Sequence, residues 1–384
     1  MKPIQNTIKG SIVTTSLLIF SMAICGPAMA KKYEARMYVA GMGGHFADVQ
    51  LTIEPDKATP ITVTSLERID IGDGTSHPTH DARIDHKDRN IMYWSTYRLD
   101  PDAGDKTHVG KTDLKSGKVL METTIEVPRA VLNARKNYCA SGQTENFYFP
   151  IAMTNPGYIS VIDKKDMTVK HQVFLEGTDA DIKKPYKFMH GITSPDMKEF
   201  FITMNESDTP GRAYGNAVGK LHMVVLDAAA LEQGKVKVLR KGVANGNFKT
   251  TISFRQYYSK DGRYIANATG DILFIIDAKT LKVLDAETIG PLDQLHDAIF
   301  TPDGKYVITT SRNKRVKKGV TPADPKKPTS DEFLMDGTLM VYDMKAGKFI
   351  GKSTSVCLTC HDEELGTEDD AVHAVLCGLD ANWK

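Results

Sequence analysis

The sequence predicts an all-β protein, a single β-propeller, and three observations carry that prediction. One unit recurs along the chain: a His or aromatic residue, a short strand, a turn of the Pro-Asp-Gly-Lys kind, a second strand, a β-rich strand ending in Asp, a Lys/Gly turn and a last strand. The Asp that closes the third strand stands at 113, 163, 227, 277 and 343, a spacing of 50 to 66 residues. Four short antiparallel strands at that interval describe propeller blades. The two ends also complement each other. Ala35 to Gly41 reads as a second strand without a first, and His373 to Asp380 as a first strand without a second. Sharing one blade between the termini closes the ring and hides strand edges that would otherwise invite aggregation.

Residues 1–30 read as a secretory signal: Lys2 and Lys9 charge its start, Ser11 to Gly26 carries no charge, and Ala28-Met29-Ala30 is a cleavage pattern. Residues 31–384 are then the propeller. The first full unit begins at His80 and continues through Ile91 to Tyr97, His108 to Asp113 and Lys118 to Glu126. A weaker copy has Phe147 to Met153, Tyr158 to Asp163 and Thr168 to Leu175. His190 begins the next, with the turn Pro195-Asp196-Met197-Lys198, and Thr251 to Tyr258 begins another, with Asp261-Gly262-Arg263. The clearest starts at His296, with Pro302-Asp303-Gly304-Lys305 and the strand Thr338 to Asp343. Six units are counted, and Arg129 to Ser141 leaves room for a seventh.

The insertions 205–219 and 312–337 fall between second and third strands, and 353–370 between a fourth strand and the next blade. In propeller topology both kinds of connection lie on one face, and loops on a rigid scaffold are where function concentrates. The opposite face, with its tight turns, reads as plain scaffold.

Cys357-Leu358-Thr359-Cys360-His361 is the c-type haem attachment pattern. Two thiols at this spacing can add to the haem vinyl groups, and the adjacent imidazole can bind the iron. His373 is the nearest candidate for the sixth position. Little chain follows His361 to build the helical domain that usually wraps such a haem, so a disulfide within the loop or to Cys377 stays beside the haem reading, with Cys139 the remaining cysteine once Cys25 is lost with the signal. His80, His190, His296 and His373 occupy equivalent repeat positions at the start of innermost strands, so they are expected to ring the channel mouth. Such a ring offers metal ligands, though a His here also commonly bonds within its own blade.

Phrases such as Tyr158-Ile159-Ser160-Val161-Ile162-Asp163 and Ser259-Lys260-Asp261-Gly262-Arg263-Tyr264 resemble the exported YVTN and amine-dehydrogenase type of propeller. As a whole the chain looks most like the beta subunit of hydrazine synthase from anaerobic ammonium-oxidising bacteria. That resemblance implies a subunit of an oxidoreductase complex rather than an enzyme by itself. The complex makes hydrazine from nitric oxide and ammonium, and its partner alpha and gamma subunits carry haem c. It also implies residence in the periplasm or the anammoxosome lumen. The other reading is an autonomous c-type cytochrome or dehydrogenase with haem on Cys357, Cys360 and His361.

Arg312, Lys314, Arg315, Lys317 and Lys318 form a basic cluster suited to docking an acidic partner surface, or to lying in solvent as a flexible loop. Tyr257 and Tyr258, with Phe248 and Phe254 nearby, form an aromatic-rich segment; most of these side chains are expected in the core, and an exposed tip would suit a partner's cavity. A net charge of +1 gives no reason to expect nucleic acid. No apolar run after the signal reaches the ~20 residues of a membrane span. No phosphate loop, His-Glu-x-x-His or nucleophile elbow occurs, so no catalytic residue is assigned.

Overall fold

The computed structural model describes residues 31–41, 43–131, 136–209, 215–316, 320–326, 332–356 and 377–384. They form six four-stranded antiparallel sheets, the blades of a propeller. Blade I joins the two ends of the chain: Leu379–Trp383 is innermost, followed by Tyr33–Ala40, His45–Ile53 and Ile61–Asp70. Blade II is Arg83–Ile84, Ile91–Ser95, Thr107–Asp113 and Val119–Ile125. Blade III is Tyr138–Gln143, Phe147–Ala152, Tyr158–Asp163 and Val169–Phe174. The stretch that left room for a seventh unit therefore leads into the innermost strand of blade III. Blade IV is Tyr186–Thr193, Glu199–Ser207, Ala217–Asp227 and Val238–Asn245. Blade V is Gln256–Tyr258, Tyr264–Ala268, Ile272–Asp277 and Val283–Thr288. Blade VI is Asp293–Phe300, Tyr306–Val316, Phe333–Asp343 and Lys348–Ser355.

The periodic aspartates have a local cause. Asp113, Asp163, Asp277 and Asp343 end the third strands and accept backbone N–H groups two or three residues on, closing the turn to the fourth strand. Asp227 does the same for Ala230 and so caps a short helix, Ala228–Glu232. Turns between first and second strands repeat a second device, in which Asp196, Asp261 and Asp303 take hydroxyl protons from Ser194, Ser259 and Thr301. The position after each of these aspartates has positive φ. It is Gly262 in blade V and Gly304 in blade VI but Met197 in blade IV, at φ 58°.

Apolar side chains fill the seams between blades. Blades I and VI share Met37, Val49, Ile308 and Leu339; blades I and II share Tyr38, Phe46, Met92 and Trp94; blades III and IV share Phe149, Ile159, Phe200 and Val224. Middle strands are buried on both sides for this reason, whereas outermost strands such as Val119–Ile125 alternate with solvent. The 312–337 insertion begins as strand rather than loop. The second and third strands of blade VI stay paired out to Val316 and Phe333, although the innermost strand stops at Asn313 and the outermost at Thr338. Among the described residues no helix is long and apolar enough to cross a membrane.

Ring closure should be measurable. Leu379 is fully buried at the closing strand, so Leu379→Ala is expected to cost about 3 kcal/mol in chemical denaturation. Leu284→Ala, at a side chain 54% exposed, should change stability by less than about 0.5 kcal/mol. Met197→Gly should raise stability by about 0.5–1 kcal/mol in the same assay, because it removes left-handed strain of about 1–2 kcal/mol against a smaller chain-entropy cost.

Candidate functional site at the channel axis

Each blade sends one side chain to the same level of the axis, on the loop-rich side. They are Cys377 from blade I, His80 from II, Cys139 from III, His190 from IV, Arg255 from V and His296 from VI, all buried. Their hydrogen bonds run between blades, not within them. Cys139 Sγ lies 2.9 Å from both His80 Nδ1 and His190 Nε2. Arg255 donates to His296 Nδ1 at 3.1 Å, to His80 Nδ1 at 3.2 Å, and to the backbone carbonyls of His80 and Cys139. Arg312 donates to Cys377 Sγ at 3.3 Å. Since a guanidinium only donates, both Nδ1 atoms are acceptors, and the proton of each neutral ring sits on Nε2. His296 Nε2 has no partner among the described residues.

The electrostatics keep this level neutral apart from its arginines. Burial, with Arg255 and Arg312 nearby, drives His80 and His296 well below the usual imidazole range, and burial beside Arg255 lowers His190 to about 3. Burial pushes the Cys139 thiol up to about 12. The ligating atoms of His80, His296 and Cys377 lie within 4.8 Å of one another, a donor set chemically suited to a soft or borderline metal. A metal would nevertheless have to displace Arg255 from both rings and Arg312 from the sulfur. The cluster as it stands is built around a guanidinium.

One layer deeper, Arg83 is fully buried and donates to the carbonyls of Ser141, Ala82 and Leu379 at 3.1–3.2 Å. Asp81 lies 3.8 Å from Arg83 and 3.7 Å from Arg255, and Asp297 3.9 Å from Arg83. Asp297 accepts from Leu379 N at 2.8 Å; Asp380 accepts from Ile84 N at 2.8 Å and Tyr257 OH at 3.1 Å. Burial raises Asp297 to about 6, against the pull of Arg83 and Arg255.

His80, His190 and His296 thus meet at the channel mouth, while His373, Cys357, Cys360 and His361 lie outside the described residues. The blade I position equivalent to these histidines belongs to Cys377. Of the basic cluster, Arg312 turns inward, also reaching Gln294 at 3.2 Å, and Lys314 lies over the Phe333 ring at 4.8 Å; Lys317 and Lys318 lie outside the described residues. Phe254 and Tyr258 are buried and Phe248 is 55% exposed. Sequence reasoning missed Cys139, Arg255 and Cys377, yet counting back six residues from turn aspartates Asp196 and Asp261 reaches His190 and Arg255.

The turn face is more than scaffold. A cavity of about 480 Å³ opens there, lined by Arg83, Arg89, Lys260, Tyr257, Phe300 and Trp383 among others, with no carboxylate among the described residues of its wall.

No family model matches this chain, and no curated protein does. Among solved structures it is similar to Kuenenia stuttgartiensis hydrazine synthase, at 17% identity over 72% of this chain, with a TM-score of 0.46. That match spans 65% of the hydrazine synthase chain, a little under two thirds. It is also similar to a protein of unknown function from Bacteroides caccae, at 9% identity over 91% of this chain and 98% of that one, TM-score 0.49. A functionally unknown protein from Desulfotomaculum acetoxidans matches at 12% identity over 90% and 99%, TM-score 0.47.

Asp297 gives the axis a pH signature. An unfolded Asp titrates near 3.9, so the folded site holds its proton more tightly between about pH 4 and 6. Its contribution to stability is full below pH 4, falls by an amount on the order of 3 kcal/mol as pH rises through 6, and is flat above. Urea denaturation of wild type and Asp297→Asn across this range should find the decline in wild type and its loss in the variant.

Proposed function

We propose that this chain is the non-catalytic propeller subunit of an exported oxidoreductase assembly, docking haem-bearing subunits through its loop-rich face. The sequence resemblance points to hydrazine synthase, which forms hydrazine from nitric oxide and ammonium, with residence in the periplasm or anammoxosome lumen. One observation carries the docking role: among the described residues, the ribbon of blade VI beyond Asn313 and Gly337, paired through Lys314↔Met335 to Val316↔Phe333, has no third strand on either side. A bare two-stranded ribbon is marginal in water. This one presents Val316, 38% exposed, beside Lys314 over Phe333. Basic and apolar character on a projecting ribbon suits a partner surface that is acidic and partly apolar.

A second reading, haem on this chain itself, is favoured by where the Cys-x-x-Cys-His segment is anchored. The chain leaves the last blade at Val356, bonded to Gly337, and returns at Cys377, bonded to Ala40 at the channel mouth. The donor chemistry of Cys357, Cys360 and His361 suits covalent haem with one axial imidazole, and bound haem would supply one-electron transfer. His80 and His296 already serve Arg255, and His190 serves Cys139, so they are poor sources of a second axial ligand.

A pyridine haemochrome spectrum and intact mass of the mature chain, matured in a haem-attaching periplasm and purified free of partners, separate the two readings. The subunit reading expects a colourless chain that copurifies with haem proteins from its native source. Replacing 314–335 by a short turn should abolish copurification with little change in melting temperature. Covalent haem on the isolated chain would transfer the redox role to Cys357, Cys360 and His361.

A further inference from the structure

A second histidine cluster lies away from the axis, on the loop-rich side of blade II. His77 belongs to the connection from blade I, His108 to the third strand of blade II and Glu122 to its outermost strand. His77 Nε2 lies 3.0 Å and His108 Nδ1 2.5 Å from the same oxygen, Glu122 Oε1.

The outer nitrogens fix what the inner ones present. Asp73 accepts the backbone N–H groups of Thr75 and Ser76. It also accepts the Ser76 hydroxyl proton at 2.5 Å. Ser76 Oγ, its proton spent, then accepts from His77 Nδ1 at 2.7 Å. On the other ring, Nε2 faces the carboxylate of Asp100 at 2.8 Å and must donate to it. With both imidazoles neutral, their remaining lone pairs converge on a carboxylate oxygen. Three electron pairs aimed at one point require a cation between them, either two extra ring protons or one metal ion.

We propose that His77, His108 and Glu122 form a binding site for a divalent transition metal of the zinc or copper(II) class. Two imidazoles and a carboxylate are the donors such ions take. Ligands at 2.0–2.1 Å in a tetrahedron stand roughly 3.4 Å apart, so small outward movements seat the ion. The ligating atoms already lie within 4.8 Å of one another. Asp100 and the Ser76–Asp73 pair supply the outer hydrogen bonds that orient metal-binding histidines. Gly72 leaves space for the arrangement, since a Cβ there would stand 2.3 Å from His77 Cγ. Glu122 is 31% exposed, which gives the ion a route in and leaves a coordination position for water. The site is independent of any haem or partner.

Trp94 provides a local reporter, its ring 5.9 Å from that of His77, and the chain has two tryptophans. Chelator-stripped mature chain at pH 7.5 is titrated with Zn(II) by calorimetry and with Cu(II) by tryptophan fluorescence. One equivalent of Zn(II) is expected to bind, and Cu(II) to quench the component that Trp94→Phe removes. Glu122→Gln, on an outermost strand where folding is least at risk, and His77→Gln should each abolish that equivalent and the quenching. Asp100→Asn and Gly72→Ala, which keep all three ligands, should weaken binding about tenfold. Loss of the equivalent in the variants, rather than total Zn(II) uptake, is the deciding readout. Unchanged stoichiometry and quenching in folded Glu122→Gln and His77→Gln, or no binding by wild type, would overturn the site and leave a doubly protonated ion-pair network.

Discussion

The fold depends on charges buried where the blades converge. Arg83 and Arg255 sit buried at the axis, and six blades must close around them. A buried guanidinium is tolerable only if carboxylates and carbonyls are already in place. Those partners come from everywhere in the chain: Asp81 and Ala82 from blade II, Cys139 and Ser141 from III, Asp297 from VI, Leu379 from I. The termini must therefore pair to complete the network. Leu379 supplies both a carbonyl for Arg83 and an N–H for Asp297, and Asp380 beside it caps Ile84. Apolar residues of similar volume would cost less to bury, so the network serves register more than raw stability.

That division explains what was legible in the sequence. The turn aspartates bond within two or three residues of themselves, so their function is local and their spacing announced the blades, while the complementary strand patterns at the two ends announced the shared closing blade. The axis is different. Arg255 meets His80 across 175 residues and Cys139 across 116, and in the sequence only its place six residues before the turn aspartate Asp261 marks it. His80, His190 and His296 stood out because three blades chose the same residue at the same position. Cys139, Arg255 and Cys377 hold the same position with different chemistry, so a repeat search looking for His passes over them. The histidines bond between blades because innermost strands crowd together at the axis, leaving neighbours in other blades nearer than neighbours in their own. His77, His108 and Glu122 escaped notice for a related reason: the pairing of the third and outermost strands of blade II, with the connection from blade I laid against them, brings them together, not any motif.

The two ends of the channel differ in kind. The loop-rich end is filled by imidazoles, thiols and guanidinium groups hydrogen-bonded across the blades, with the Phe254 ring stacked on His296 at 4.4 Å. The turn end opens into a cavity whose wall is aromatic and basic, where Arg89 is held by Asn382 and the Ala381 carbonyl rather than by a carboxylate. Loop length and concavity thus point to opposite faces of the same propeller. Elaborated loops build a surface that other proteins can meet, and short turns around an axis leave a funnel.

The chemistry of the axial level argues about its own role. Nucleophilic and metal-binding cysteines act as thiolates, and a thiol raised to about 12 presents almost none at neutral pH. A general base needs a pKa near the working pH, whereas these imidazoles are held far below it. The same burial that makes the cluster a good keystone removes the protonation changes that acid/base or thiolate chemistry would use. Acid/base chemistry near neutral pH therefore suits groups that reach solvent, as the histidine pair and Glu122 on blade II do, better than this level. The axis holds those groups in place, and its inertness is what permits it to be packed so tightly.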